Sequence, residues 1–181
     1  LTWNDTNCLA GGCFDNGGIT DFGKKVIKTF ENNGVIIDTA HQNRQTFFEF
    51  AKITSKPIFN SHTAVDKLLQ TPRNLNDEQL KIIKESKGFV GIYFVTDFLS
   101  RQKVDSKVVA EHIEYIVDKF GIDLVGFGTD FNGTEILPED VKDYSDVENI
   151  LDKLKEKGYS AEALDKIRYK NFYSYLEKVN H

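Results

Sequence analysis

The sequence predicts an α/β fold of the (β/α)8 barrel type, of which this chain supplies about the last four strand-helix units. Three observations carry that reading. Short Val/Ile-rich runs alternate with helical patterns, which is how a parallel sheet with crossover helices presents itself. The strand starts recur at about 20 to 35 residues, the cadence of a barrel or a doubly wound sheet. A closed barrel typically takes ~250 residues and eight units. Four units in 181 residues make half of one.

Taken in order, residues 1–18 begin as the frayed end of a strand and pass into a loop dense in Gly, Asn and Asp. Thr20 or Asp21 caps a helix through Val26, Ile27 and Phe30 to about Asn33, stopped by Gly34. A first strand is expected over 35–39, ending next to His41. Asn43 caps a short helix carrying Phe47, Phe48 and Ala51, and a second strand spans 57–61, leading to His62 and a brief turn to about Leu69. After the connector Pro72-Arg73-Asn74-Leu75, Asn76 caps the next helix with Gln79 as its capping-box partner. Gly88 stops it, and strand 89–95 is the most apolar run in the chain. Val108, Val109, Ile113, Ile116, Val117 and Phe120 recur at helical spacing from Lys107 to Phe120. Gly121 ends that helix, and a last strand over 124–128 delivers Thr129 and Asp130. Ser145 with Glu148 reads as a capping box for a helix to about Lys157, and Ser160 caps the final helical region.

Composition narrows the function class. A net charge of -5 without a basic run argues against nucleic acid and anionic membrane as partners. No apolar stretch approaches the ~20 residues of a membrane span, and no signal-peptide pattern is present. This favours the cytoplasm but leaves the compartment open, because a signal could lie upstream. Cys8 and Cys13 are too few for a disulfide framework or a zinc site and are expected to be free thiols. The chain lacks methionine and begins with Leu1, so it reads as a piece of something longer.

The candidate chemistry gathers at strand ends. His41 and His62 occupy equivalent positions on consecutive strands, at the carboxyl end of the sheet where α/β folds place their sites. Imidazole is the commonest protein ligand for zinc. Two are too few for a complete zinc site, which usually takes three protein ligands. Asp130, within Gly126-Phe127-Gly128-Thr129-Asp130-Phe131-Asn132-Gly133, lands at the same end as a metal ligand or proton carrier, and the glycines there let other backbone or a ligand come close. Arg73, either a surface charge or a fork for a substrate carboxylate, and Trp3, which lines a pocket or simply packs, complete the candidates. His112 is read as helix surface, since no second ligand stands at metal spacing.

Six stretches then coincide in order and spacing with one family: Leu1-Thr2-Trp3-Asn4, Gly17 to Gly23, Ile37-Asp38-Thr39-Ala40-His41, Phe59-Asn60-Ser61-His62, Pro72-Arg73-Asn74-Leu75 and Gly126 to Gly133. Over its whole length the chain resembles the membrane dipeptidases, also called renal dipeptidases. The resemblance implies residues 1–181 to be the C-terminal half of a metallo-dipeptidase barrel, with Zn2+ as cofactor, two ions per complete site, and dipeptides as substrate. It implies that His41 and His62 ligate one zinc, that Asp130 handles the proton and that Arg73 holds the substrate carboxylate. Trp3 stands where many members carry a substrate-contacting histidine, and Asn132 replaces an aspartate common in the family. The family's His-x-Asp pair and bridging glutamate have no counterpart here, so two of five metal ligands are present and the chain by itself is expected to be inactive. Two alternatives stand beside this reading. One is a non-catalytic half-barrel completed by an N-terminal half chain or a second copy. The other is a different metal-dependent hydrolase of amidohydrolase type.

Overall fold

The computed structural model describes residues 1–179. Local sequence signals set the helix starts. The Thr20 hydroxyl accepts from Gly23 N to open α1 (Asp21–Asn32), and Asn43 accepts from Thr46 N to open α2 (Arg44–Ile53). Asn76 and Gln79 form the expected capping box on α3 (Asp77–Glu85). Asp105 caps α4 (Ser106–Phe120) through two backbone N–H groups, and Gly121 follows with φ 93°. The Ser145–Glu148 capping box does not form. Asp143 accepts from Ser145 N to start a single 3-10 turn, and α5 (Val147–Glu156) continues from it. Ser160 caps α6 (Ala161–Asp165) as expected; a π-turn over Lys166–Lys170 then joins it to α7 (Asn171–Val179).

Three parallel strands, β1 (Phe59–Thr63), β2 (Phe89–Ile92) and β3 (Val125–Phe127), lie side by side in chain order. The expected strand over 35–39 is reduced to one bridge, Asp38 to Phe59. The reason lies in the Asp38 side chain. The Asp38 carboxylate accepts from Ala40 N and Ser61 N, so a side chain takes backbone donors that a longer ladder would use. Leu1 to Asn4 likewise forms no strand. The second strand runs two residues later than expected and so contains His62 rather than ending before it.

Val90 and Ile92 of β2 share one core with Leu80 and Ile83 of α3 and Ile113 and Ile116 of α4. Each such fully buried side chain contributes roughly 1.5–3 kcal/mol. At the start of the strands, Phe59 stacks on Phe89 at 5.8 Å, and both rings meet Phe172 and Tyr175 of α7. The Tyr175 hydroxyl donates to Pro57 O at 3.3 Å. That end is closed, which leaves the chemistry to the other. Among the described residues no helix is long and apolar enough to cross a membrane.

Two glycines are needed for a close approach. A Cβ on Gly91 would stand 2.1 Å from Ser61 O, and one on Gly128 1.8 Å from the same oxygen. Backbone on both sides leaves no cheap relief. Gly128→Ala is therefore expected to cost about 3 kcal/mol, read as a lower urea midpoint at unchanged m-value.

His112 corrects the sequence reading. It is buried, with Nδ1 accepting from Val65 N at 3.1 Å and Nε2 donating to Leu99 O at 3.0 Å. The α4 stripe at Val109, Ile113 and Ile116 is one position away, so His112 falls on the inner face, where two loop backbones need a crosslink. Burial lowers its pKa to about 4, with the Leu99 carbonyl opposing. The unfolded imidazole binds its proton near 6.5, so this group's stabilisation is complete above that value and is lost as pH falls toward 4. The loss amounts to about 3 kcal/mol. Urea melts at pH 7 and pH 4.5 are expected to show that decline in the wild type and a shallower one in His112→Gln.

Candidate functional site

The site is built where β1 departs from regular pairing. Asn60 pairs with Val90 and Thr63 with Ile92, so β1 spends one residue more than β2 between those points. Such a bulge re-aims a side chain. Here it turns His62 toward His41, which follows the Asp38 bridge with φ 64°. The two Nε2 atoms meet at 2.7 Å.

Each ring is held by its other nitrogen. His41 Nδ1 lies 2.7 Å from Asn4 Oδ1, an acceptor, so Nδ1 carries the proton. His62 Nδ1 lies 2.6 Å from Ser61 Oγ. The Ser61 hydroxyl is spent on Asp38 Oδ2, so it receives the His62 Nδ1–H. Both Nε2 atoms therefore present lone pairs to the same point, which is unfavourable unless something positive lies between them. A proton is poorly suited to that place. Burial, the Arg73 guanidinium and His62 lower the His41 pKa to about 3. Burial and Arg73 also lower that of His62, with Asp130 and Asp38 opposing. The donor set, two neutral imidazoles with anchored Nδ1–H groups, suits a metal ion such as zinc.

The other predicted residues surround this pair. Asp130 stands on a left-handed turn (φ 59°) with Oδ2 4.0 Å from His62 Nε2. Gly133 gives its carboxylate room, since a Cβ there would stand 2.2 Å from Asp130 Oδ1. Arg73 is not a surface charge: it is 5% exposed, its guanidinium lies 5.8 Å from the Tyr93 ring centroid, and it forms no ion pair among the described residues. Tyr93 neighbours both Arg73 and His62, its ring 6.4 Å from the His62 ring and its hydroxyl donating to Asn74. Trp3 is 67% exposed with its ring 6.1 Å from His41, a rim position. Cys8 and Cys13 are free, and Cys13 Sγ donates to Asn4 Oδ1 at 3.1 Å.

Among the described residues no three His, Cys, Asp or Glu side chains gather as a metal cage. The chain thus brings His41, His62, Asp130 and Arg73 to one mouth with Trp3 at its edge. Sequence reasoning passed over Asn4, Asp38, Ser61 and Tyr93. Three of them lie inside the stretches that carried the resemblance, one or three residues from a named site residue. Their hydrogen-bonding type beside a histidine was the available signal.

The sequence profile of the membrane dipeptidases, peptidase family M19, matches residues 1–181. The chain belongs to this family. It is 32% identical over 167 residues, 90% of its own length, to a Klebsiella pneumoniae protein described only as an uncharacterized protein in the pqqA 5' region. It superposes with a TM-score of 0.92 on a metallo peptidase from Rhodobacter sphaeroides liganded with a phosphinate mimic of the dipeptide L-Ala-D-Ala, at 26% identity over 98% of this chain. An amidohydrolase from Pseudomonas aeruginosa superposes with a TM-score of 0.90 at 25% identity over 99% of this chain. The chain spans 61% of the first protein, 54% of the second and 63% of the third. The M19 chain thus has an α/β fold, part of a barrel of the dipeptidase type.

Proposed function

We propose that this chain supplies the C-terminal half of the catalytic barrel of a zinc-dependent dipeptidase. The remaining metal ligands then come from strands outside residues 1–181. The observation that carries the reading is the pair of Nε2 lone pairs converging at 2.7 Å with both Nδ1–H groups anchored. Membership in a dipeptidase family supports it. His41 and His62 would hold one zinc. The chemistry that a zinc bound there would supply is Lewis-acid polarisation of a carbonyl oxygen and a lowered pKa for a water.

The rest is done by this chain's own side chains. Asp130 takes the proton from the water at its carboxylate and passes it to the departing amine, which leaves as the C–N bond breaks. The buried guanidinium of Arg73 grips the free carboxylate of the substrate, for which two parallel N–H bonds suit a planar fork. This selects for a substrate ending one residue past the scissile bond. Trp3 contributes an apolar wall at the entrance.

The test is hydrolysis by the native-length protein, purified with its zinc content measured, on a panel of dipeptides beside cyclic amides and lactones. Dipeptide turnover that disappears on chelation and returns with zinc is the expected result. Turnover confined to cyclic amides or lactones would point instead to amidohydrolase chemistry, the activity named for the Pseudomonas neighbour.

A further inference from the structure

We propose that Asp38 and Ser61 are positioning residues that set which nitrogen of His62 is free to bind metal. The proposal rests on the reading of His62 as a zinc ligand. It concerns a relay that reaches the metal only through that ring.

Both oxygens of Asp38 are committed. Oδ1 accepts from Ala40 N at 2.9 Å and from Ser61 N at 3.0 Å, and Oδ2 accepts the Ser61 hydroxyl. A serine hydroxyl has one hydrogen. Given to Asp38, it leaves only lone pairs for His62 Nδ1, which lies 2.6 Å away and must donate. The remaining lone pair of the ring is then on Nε2, the atom that faces His41. The carboxylate thus dictates the tautomer of a histidine it does not touch. Because the same carboxylate also anchors the bulged backbone of β1 at Ser61 N, it fixes the position of the ring as well as its protonation. Outer partners of this kind keep a ligand in the required tautomer, and their loss costs 10–100-fold in metal affinity.

Asp38→Asn gives the relay a definite failure. Two backbone N–H groups hold the oxygen that replaces Oδ1, so the new NH2 group must face Ser61 Oγ. The Ser61 oxygen now receives a hydrogen from the amide and turns its own toward His62 Nδ1. That nitrogen becomes an acceptor, and the ring proton moves to Nε2, the wrong atom for metal.

The experiment uses the native-length protein and reads two quantities. The first is the His62 tautomer, by 15N NMR of the chelator-treated protein. The second is zinc affinity, by titration against a competing chelator. Wild type is expected to show the Nδ1–H form. Asp38→Asn is expected to show Nε2–H and zinc binding weaker by about 10–100-fold, while Ser61→Thr, which keeps the hydroxyl, binds near wild type. Unchanged zinc affinity in Asp38→Asn overturns the proposal whatever the tautomer. Should that variant not fold, Ser61→Ala replaces it, with mixed tautomers and the same weakening expected and wild-type affinity again overturning it. His62→Ala serves as the control on the premise. If it binds zinc as tightly as wild type, the ligand assignment itself fails. If it loses tight zinc while Asp38→Asn does not, only the relay fails.

Discussion

On the dipeptidase reading proposed above, Asp130→Asn in the native-length protein is expected to lower kcat on dipeptides by about 10²–10⁴-fold, the range a positioned acid-base group contributes, with metal content and KM close to wild type. The substitution removes proton affinity without removing volume. Oδ2 stands 4.0 Å from His62 Nε2, outside direct bonding to the ring and close enough to take a proton from a water beside the proposed metal position. The left-handed turn at Asp130 (φ 59°) suits Asn as well as Asp, so the backbone has no reason to move. Kinetics on the native-length protein reconstituted with zinc check the prediction, with metal analysis of the same samples. A matching loss of zinc would make Asp130 a ligand instead of the proton carrier.

Arg73→Met is expected to separate activity from stability. Truncating a buried charge that pairs with a ligand typically costs 2–5 kcal/mol, so on the proposed carboxylate-binding role kcat/KM of the native-length protein on dipeptides is expected to fall by roughly 10²–10³-fold. The fold responds in the opposite direction. Arg73 is 5% exposed without an ion pair among the described residues, and the guanidinium contact with Tyr93 at 5.8 Å offsets only part of its desolvation. Met follows the same stem into the same space, and a gain of about 1–2 kcal/mol is expected. Urea melts and kinetics on one preparation check both signs. A loss in both would make Arg73 a structural cation.

Helix boundaries were legible because they depend on neighbours in sequence. Thr20, Asn43, Asn76 and Ser160 cap as expected, since a cap needs only a side-chain oxygen and an N–H two or three residues on. Ser145 failed because Asp143, two residues earlier, competes for the same turn. The strand over 35–39 failed for a long-range reason: whether its backbone donors join a ladder depends on what Asp38 and Ser61 do across the sheet. His112 was misread because the helical period marks a face only to within one position, and the loops at Val65 and Leu99 that need its nitrogens are 47 and 13 residues away.

By itself, the sequence determined the α/β alternation, the caps at Thr20, Asn43, Asn76 and Ser160, and the family, and it named four residues that the fold brings to one mouth. All of these are written in local spacing or in short motifs. Only the tertiary structure decided that His41 and His62 meet through Nε2, that Arg73 is a buried cation without a partner among the described residues, and that Ser61 stands between Asp38 and His62. The meeting of the histidines and the place of Ser61 depend on one extra residue in β1 and on two glycines that let the Ser61 carbonyl in. A bulge changes where a side chain points without changing the pattern of apolar residues around it, which is why periodicity places the histidines but does not aim them.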